Sequence, residues 1–285
     1  MRHISAFLTL ALLTGCASRV AQPRVVWPAG DTSTARYRGN LPTLDAVATY
    51  GDKRRNAKLV IDTGCEGVAL SSSLVAALEL PVRHRLVRYE GSPVEQGGVG
   101  KGQTLSHEVG SIDVRGCFTL ESGEAISVKM PGELGGLAGL IAFPDRVVVF
   151  DPAQNRVYFV TRQLADQLAR VEGAVALPAR RRHNTLRVEV TIANVLAELL
   201  VDTGARYSWI SPAVARAAER NGFVEGRVRA GSADLGLRVL RVETDGTPLE
   251  GGLGADILLG LDRAVILDLE RERVILLPVV APGVR

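Results

Sequence analysis

The chain has 285 residues, of which 46% are hydrophobic and 23% are charged, and its formal net charge is +3. This is globular composition, sufficient for one large or two modest domains. No basic stripe, aromatic platform or zinc-ligand spacing occurs, so the sequence gives nucleic-acid binding no support. The 30 glycines and the low aromatic content of 5% favour β-structure with many tight turns.

The N-terminus has the pattern of a secretion signal. Arg2 and His3 give a basic start, and residues 6–13 form an apolar stretch that is too short to span a bilayer as a helix. The tetrapeptide LTGC that follows ends at Cys16 and resembles the bacterial lipobox. The resemblance implies that the signal is cleaved before Cys16 and that this cysteine carries lipid. A plain secretory signal with an incidental cysteine is the alternative.

We therefore expect residues 1–16 to be a lipoprotein signal peptide and residues 17–35 to be a flexible tether. The mature protein would be anchored in the bacterial cell envelope, at the outer membrane and facing the periplasm, with the lipid as its only membrane contact. In this oxidising compartment Cys65 and Cys117 could form a disulfide, which the sequence alone does not decide.

Two parts of the chain repeat each other. LVIDTGCEG begins at Leu59 and LLVDTGARY at Leu199, an offset of 140 (202 − 62) between their aspartates. DRVVVFDPAQNRVYF from Asp145 and DRAVILDLERERVIL from Asp262 match without gaps at an offset of 117 (262 − 145). The first copy therefore holds 23 more residues between its two anchors (140 − 117). The pattern indicates an internal duplication with a longer middle in the first half.

The predicted elements follow the same order in both halves. A hairpin comes first, and its second strand ends at the aspartate of DTG; a short strand, a helix, Gly-punctuated strands and a closing hairpin follow. In the second half Ser211 is the predicted N-cap of the helix, and Pro212 its first residue. Between the halves a helix is predicted from Gln163 to Val171.

These elements divide the chain into an N-terminal lobe at 36–162, a linker with a short helix at 163–183, and a C-terminal lobe at 184–285. The basic run ARRRH at 179–183 is interpreted as a solvated part of the linker.

The repeated unit resembles the retropepsin-like and pepsin-like aspartic proteases over nearly all of residues 36–280. The paired DTG motifs and the DILLG segment carry the resemblance. It implies a mainly β, bilobal acid-protease fold. Two pseudo-twofold-related, β-barrel-like lobes, each with a short helix, would enclose an active site in the cleft between them. No cofactor or metal is implied, and the histidines show no ligand spacing.

By this resemblance Asp62 and Asp202 are the catalytic pair. Two carboxyl groups a few ångströms apart cannot both ionise, so together they hold one proton and can act as general base and general acid on a water molecule. The rest of each motif is implied to support the pair. The threonines would be buried and bond across the pseudo-twofold axis, and the glycines would let the backbone approach the carboxylates. These four residues are Thr63, Gly64, Thr203 and Gly204.

The segment VEQGGVGKGQT is the predicted flap. Its residues Gly97, Gly98, Val99 and Gly100 would form a mobile hairpin that closes over an extended peptide substrate. The second half is shorter here, so one principal flap is expected. A disordered glycine-rich surface loop is the alternative.

Three features depart from the family pattern. Cys65 follows DTG where Ala or Ser is usual. LIAF stands in place of ILLG, which would put Ala142 or Phe143 in a glycine position beside Asp62. Glu66 and Arg206 occupy equivalent positions with opposite charge. Three roles are open for these two side chains: an ion pair across the lobes, contact with the substrate backbone, or simple solvation.

The sequence thus predicts a lipid-anchored aspartic endopeptidase that acts on extended peptides or proteins. One chain supplies both DTG loops, so a monomer is expected, with no nucleic-acid partner. A catalytically inactive relative that binds peptides is the main alternative, and a structural lipoprotein is a third.

Overall fold

The computed structural model describes residues 36–38, 41–91, 100–114, 118–130, 132–216, 223–242, 249–261 and 263–278. Several predicted features lie outside these ranges: the signal peptide with Cys16, the tether, Cys117, and the flap residues Gly97, Gly98 and Val99. No helix among the described residues is long and apolar enough to cross a membrane.

The described residues are mainly β-strand with few helices, which confirms the predicted mainly β class. The strands before the linker are β1 (Arg36–Arg38), β2 (Leu41–Tyr50), β3 (Lys53–Ile61), β4 (Val68–Ser71), β5 (Val82–Gly91), β6 (Gly100–Val114), β7 (Phe118–Val128), β8 (Leu134–Ala138), β9 (Val147–Asp151) and β10 (Arg156–Val160). The remaining strands are β11 (Val175–Leu177), β12 (Ala179–Arg182), β13 (Thr185–Ile192), β14 (Val195–Val201), β15 (Trp209–Ile210), β16 (Phe223–Ala230), β17 (Ala233–Val242), β18 (Gly251–Leu253), β19 (Arg263–Asp268) and β20 (Arg273–Pro278). The helices are α1 (Ser72–Leu78), α2 (Arg162–Leu168), α3 (Pro212–Ala215) and α4 (Ala255–Leu258), with short 3-10 helices at Leu140–Ala142 and Pro152–Gln154.

Each half closes six strands into a barrel. The first barrel runs β2-β3-β8-β4-β7-β6 and closes through pairing of β6 with β2. The second runs β13-β14-β18-β15-β17-β16 and closes through β16 and β13. The two orders are equivalent strand by strand, so the sequence duplication is a duplication of barrels. Strand β5 extends only the first barrel and accounts for much of its longer middle.

The strands that lead into the DTG motifs are buried on both faces. Leu59 and Ile61 of β3 point into the main core, while Val60, between them, packs in a smaller cluster on the opposite face. All three are 0% exposed. A strand end packed on both sides is held rigidly, and the residue that follows it is Asp62.

A third sheet joins the halves. Its order is β10-β9-β19-β20-β11, so the closing hairpins of the two halves pair directly through β9 and β19. One face, which includes Phe150, belongs to a single continuous core shared with both barrels. Helix α2 covers the other face, where Ala165 and Leu168 are buried. This shared sheet fixes the two barrels against each other.

The predicted linker at 163–183 is structured. It contains most of α2, and the basic run interpreted as solvated chain forms β12, antiparallel to β13 at a barrel edge. Arg180 and Arg182 are exposed, while Ala179 and Arg181 are half-buried. The strand was missed because three consecutive arginines conceal this alternation.

The helices lie close to their predicted positions. Helix α2 begins one residue before the predicted start, where the side chain of Thr161 accepts the Leu164 N–H as an N-cap. Ser211 occupies the cap position of α3 ahead of Pro212, but its side chain makes no capping hydrogen bond.

The shared sheet provides a first test. Phe150 is 0% exposed, so we expect Phe150→Ala to lower the free energy of unfolding by about 3–5 kcal/mol through lost burial and a cavity. Leu237, which is 65% exposed, is the control, and Leu237→Ala should change stability by less than about 0.5 kcal/mol. Urea unfolding measures both variants, and similar losses in the two would contradict this description of the core.

Candidate active site

The two DTG aspartates extend their strands in the same way. The Asp62 N–H donates to the Ala138 carbonyl of β8 at 3.0 Å. The Asp202 N–H donates to the Leu253 carbonyl of β18, also at 3.0 Å. Each aspartate is therefore fixed by the strand beside it as well as by the strand it follows.

The two threonines join the loops across the pseudo-twofold axis. The Thr63 hydroxyl donates to the Val201 carbonyl and the Thr203 hydroxyl to the Ile61 carbonyl, both at 2.7 Å. Each hydroxyl also accepts the opposite threonine's N–H, at 3.0 and 3.3 Å. Thr63 is 0% exposed and Thr203 1%, so these four hydrogen bonds are shielded from water.

The glycines allow the carboxyl groups to meet. A Cβ placed on Gly64 would lie 2.6 Å from Asp202 Cγ, and one on Gly204 would lie 2.3 Å from Asp62 Cγ. Each glycine therefore packs against the aspartate of the other half, in space that no side chain could share. The carboxyl groups of Asp62 and Asp202 are therefore buried together at the meeting point of the two loops.

The surroundings of the two carboxyl groups differ. Asp202 Oδ1 accepts two backbone N–H groups, from Gly204 at 3.0 Å and Ala205 at 2.9 Å. Asp62 Oδ1 accepts the Gly64 N–H at 3.0 Å, while the Cys65 N–H donates to the Asp62 main-chain carbonyl, also at 3.0 Å. N–H donors stabilise a carboxylate, so this geometry favours negative charge on Asp202.

Burial raises the pKa of both carboxyls above their ordinary value. For Asp62 the pKa is raised well above 3.8, first by burial and then by the charge and hydrogen bond of Asp202. For Asp202 burial also raises the pKa, against the opposing effects of the Asp62 hydrogen bond and the N–H donors. The pair can therefore share one proton, and the two N–H donors on Asp202 favour Asp62 as the residue that carries it.

Cys65 lies directly after the first DTG motif as a free cysteine, and its suggested partner Cys117 lies outside the described residues. Its Sγ donates to the Gly67 carbonyl at 3.3 Å. Burial, and then the charge of Asp62, raise the pKa of the Cys65 thiol to about 12. The thiol is therefore protonated at neutral pH and unsuited to act as a thiolate nucleophile.

The predicted weakness at LIAF is wrong. The glycine beside the first DTG loop is Gly139, which directly follows β8, and its counterpart after β18 is Gly254. A Cβ on Gly139 would lie 2.0 Å from the Cys65 carbonyl oxygen, and one on Gly254 would lie 2.6 Å from the Tyr207 carbonyl carbon. Both sites thus keep a required glycine. Phe143 packs in the core, where its ring centroid lies 4.7 Å from that of Phe159.

The misalignment arose from a shift in spacing. Gly139 and Gly254 are 115 residues apart (254 − 139), whereas the closing hairpins match at an offset of 117. The second half therefore gains two residues between this glycine and its closing hairpin. The equivalent glycines could have been found from GLAG at 136–139 and GGLG at 251–254, which precede LIAF and ILLG.

Sequence reasoning also missed two contacts that support the loops. Asp256 accepts the Ser208 hydroxyl at 2.6 Å and the Ser208 N–H at 2.8 Å, and this hydroxyl in turn accepts the Gly254 N–H. Asn184 of the second half donates to the Glu66 carbonyl at 2.9 Å. Neither pair is recognisable from spacing, because both depend on how distant segments pack.

Of the four predicted flap residues, Gly100 is the one that the structure describes. It pairs with Gly91 at the last described step between β5 and β6, and the other three lie outside the described residues. Gly100 is the first residue of β6.

Glu66 and Arg206 do not pair across the lobes. Both side chains are exposed, and no ion pair joins either to a residue in the described part of the chain. Arg206 lies over the ring of Tyr207, 5.3 Å from its centroid.

Within the described ranges, no three His, Cys, Asp or Glu side chains are grouped closely enough to hold a metal ion. No protein-family model matches the chain, and no curated protein matches it either. The geometry of the site is therefore the basis for assigning a function.

The threonine bonds provide a second test. Thr203→Val should lower the free energy of unfolding by about 2–5 kcal/mol, because it leaves the Ile61 carbonyl and the Thr63 N–H buried without partners. Thr203→Ser keeps the hydroxyl and should recover most of this loss. The control is Thr185→Val, since that hydroxyl makes one local bond, to the Arg182 carbonyl. Urea unfolding would contradict the prediction if Thr203→Val cost no more than Thr185→Val.

The raised pKa values of the two carboxyl groups provide a third test. The unfolded chain loses the Asp62 proton near pH 3.8, whereas the folded protein keeps it to higher pH. This contribution to stability is therefore full below pH 3.8 and is lost as the pH rises through the raised pKa. Asp62→Asn should thus melt at a higher temperature than wild type at neutral pH, and the difference should shrink in acid.

Thermal unfolding followed by circular dichroism across this pH range measures the effect. The control is Asp45→Asn, at an exposed position of β2. Its melting temperature should differ little from that of wild type at every pH. An Asp62→Asn difference that is independent of pH would contradict the prediction.

Proposed function

We propose that the protein is an aspartic endopeptidase that uses Asp62 and Asp202 to hydrolyse peptide bonds. The juxtaposition of these two buried carboxyl groups, each packed against the glycine of the opposite motif, is the observation that carries the proposal. Two acidic side chains buried together raise each other's proton affinity and are costly to maintain. The four threonine bonds and two glycine contacts that hold them in place support a chemical role, because stability alone does not require such a pair.

The proposed reaction begins with a water molecule between the carboxyl groups. Ionised Asp202 accepts a proton from the water as its oxygen attacks the carbonyl carbon of the substrate. Protonated Asp62 donates its proton to the carbonyl oxygen, and a neutral tetrahedral intermediate forms. The intermediate then returns the hydroxyl proton to Asp62, while Asp202 gives its proton to the nitrogen. The C–N bond breaks, a carboxylic acid and an amine leave, and the starting protonation state is restored.

The substrate we propose is an extended peptide or protein segment that lies as an added strand beneath the β5–β6 hairpin. Anchorage through Cys16 would place this activity at the periplasmic face of the envelope. Because one chain supplies both carboxyl groups, the proposal requires no second copy of the protein.

The test uses the full-length protein in detergent with a diverse peptide mixture, with cleavage products identified by mass spectrometry across acidic to neutral pH. Asp62→Asn and Asp202→Asn should each lower kcat/KM by at least about a thousandfold, since each removes one partner of the proton transfer. Asp45→Asn on the exposed face of β2 should retain wild-type activity. Because both pKa values are raised, the acidic limb of the pH–rate profile should lie above pH 3.8.

The outcomes separate the proposal from its alternative. Equal cleavage by wild type and both variants would exclude the carboxyl pair as the catalyst. Retained peptide binding without cleavage by any form would instead favour a non-catalytic peptide-binding protein.

A further inference from the structure

A row of aromatic and basic side chains begins beside the second DTG loop. Arg206, four residues after Asp202, lies over the ring of Tyr207. Arg241 of β17 joins two aromatic rings. Its guanidinium is 4.7 Å from the centroid of the Tyr207 ring and 6.0 Å from that of the Phe223 ring. The row therefore runs without a gap from the catalytic loop to the start of β16.

The row is open to solvent. Tyr207 is 38% exposed and Phe223 45%, which is unusual for large aromatic side chains. The Arg206 guanidinium is exposed and forms no ion pair with any residue that the structure describes. The Arg206 charge lies on an aromatic face without an acidic partner in the described part of the chain, so it is available to a ligand.

The first half has no equivalent row. In the second barrel Arg241 pairs with Trp209 and with Phe223. In the first barrel Ile126 takes the place of Arg241. It pairs with Ala69, which corresponds to Trp209, and with Ser106, which corresponds to Phe223. The counterparts of the four row residues hold no aromatic ring and no positive charge: Glu66, Gly67, Ser106 and Ile126.

The two ends of the site thus differ in charge. Glu66 lies four residues after Asp62, as Arg206 lies four residues after Asp202. Each follows a loop residue that is bonded to an aspartate of the pair. The Ala205 N–H donates to the Asp202 carboxylate, and the Cys65 N–H donates to the Asp62 main-chain carbonyl. The Asn184 hydrogen bond fixes the main chain at Glu66, from which the exposed carboxylate extends.

We infer that the row Arg206–Tyr207–Arg241 is a charge-selective subsite that binds an acidic side chain of the substrate, while Glu66 favours a basic side chain on the other side of the cleaved bond. This deepens the proposed endopeptidase function and rests on it. Guanidinium groups bind carboxylates with directed hydrogen bonds, and an aromatic face orients the guanidinium. A peptide strand can lie across a pseudo-twofold site in either direction, and opposite charges at its two ends select one of them.

The experiment uses full-length protein and a set of peptides with one common cleavable core. In each peptide a single position on one side of the cleaved bond is changed to Asp, Asn or Lys, and both sides are tested in this way. On one side only, we expect Asp to give a kcat/KM about fivefold higher than Lys, with Asn between them, and the preference to shrink with added salt. Arg206→Glu should abolish or reverse this preference. The double variant Glu66→Arg with Arg206→Glu should move the preference for Asp to the opposite side.

The control for charge reversal is Arg54→Glu. Arg54 is exposed near the start of β3, eight residues before Asp62 and roughly 26 Å along the strand from it. Its reversal should leave the peptide preference unchanged. A similar change in Arg54→Glu and Arg206→Glu would assign the effect to net charge and overturn the subsite.

A binding measurement separates this inference from the proposed function. Dissociation constants for the same peptides are measured with Asp62→Asn, which does not need to turn over substrate. Cleavage with no charge preference would overturn the subsite and leave the endopeptidase proposal standing. No cleavage, but tighter binding of Asp peptides that is lost in Arg206→Glu, would overturn the endopeptidase and support the subsite. No cleavage and no preference in binding would overturn both.

Discussion

The threonine hydroxyls of the two DTG loops each satisfy a donor and an acceptor of the opposite half, and the rest of the site depends on this exchange. Thr63 and Thr203 lie where water does not reach, so neither half can satisfy its own loop. Separating the halves would break four hydrogen bonds that involve six polar groups, and each such group that stays buried without a partner costs about 1–3 kcal/mol. The exchange therefore determines where the two aspartates lie, and their contact follows from it.

A duplicated chain can give its two copies different properties. The same Asp-Thr-Gly sequence places two N–H donors on the Asp202 carboxylate and one on that of Asp62. The copies diverge further outside the motif, where the second has an exposed basic and aromatic row and the first has a glutamate and a long hairpin. A site made from two identical chains could not hold such differences, because any change in one half would appear in the other.

Much of this arrangement could be predicted from the sequence. The hairpins that end at Asp62 and Asp202 were recognisable because apolar runs stop at a turn motif, and the helix after Ser211 because a proline follows a serine there. The closure of the barrels was not predictable in detail, since pairing of β2 with β6 depends on contacts between distant segments. Gly139 was missed because two inserted residues shift the comparison, and β12 because its arginines hide the alternation of a strand. The asymmetry of the carboxyl groups depends on individual hydrogen bonds, which no residue pattern encodes.

The seam between the halves restricts how they can move. Strands β9 and β19 pair in a single register, with Val149 opposite Ile266, and the side chains on the two faces of this sheet belong to different clusters. A slip by one residue would turn every side chain of the slipped strand to the wrong face, so sliding of one half along the other is forbidden. Bending and twisting of the sheet remain allowed. Relative motion of the two barrels is therefore confined to changes in the angle between them, while the paired strands keep their register.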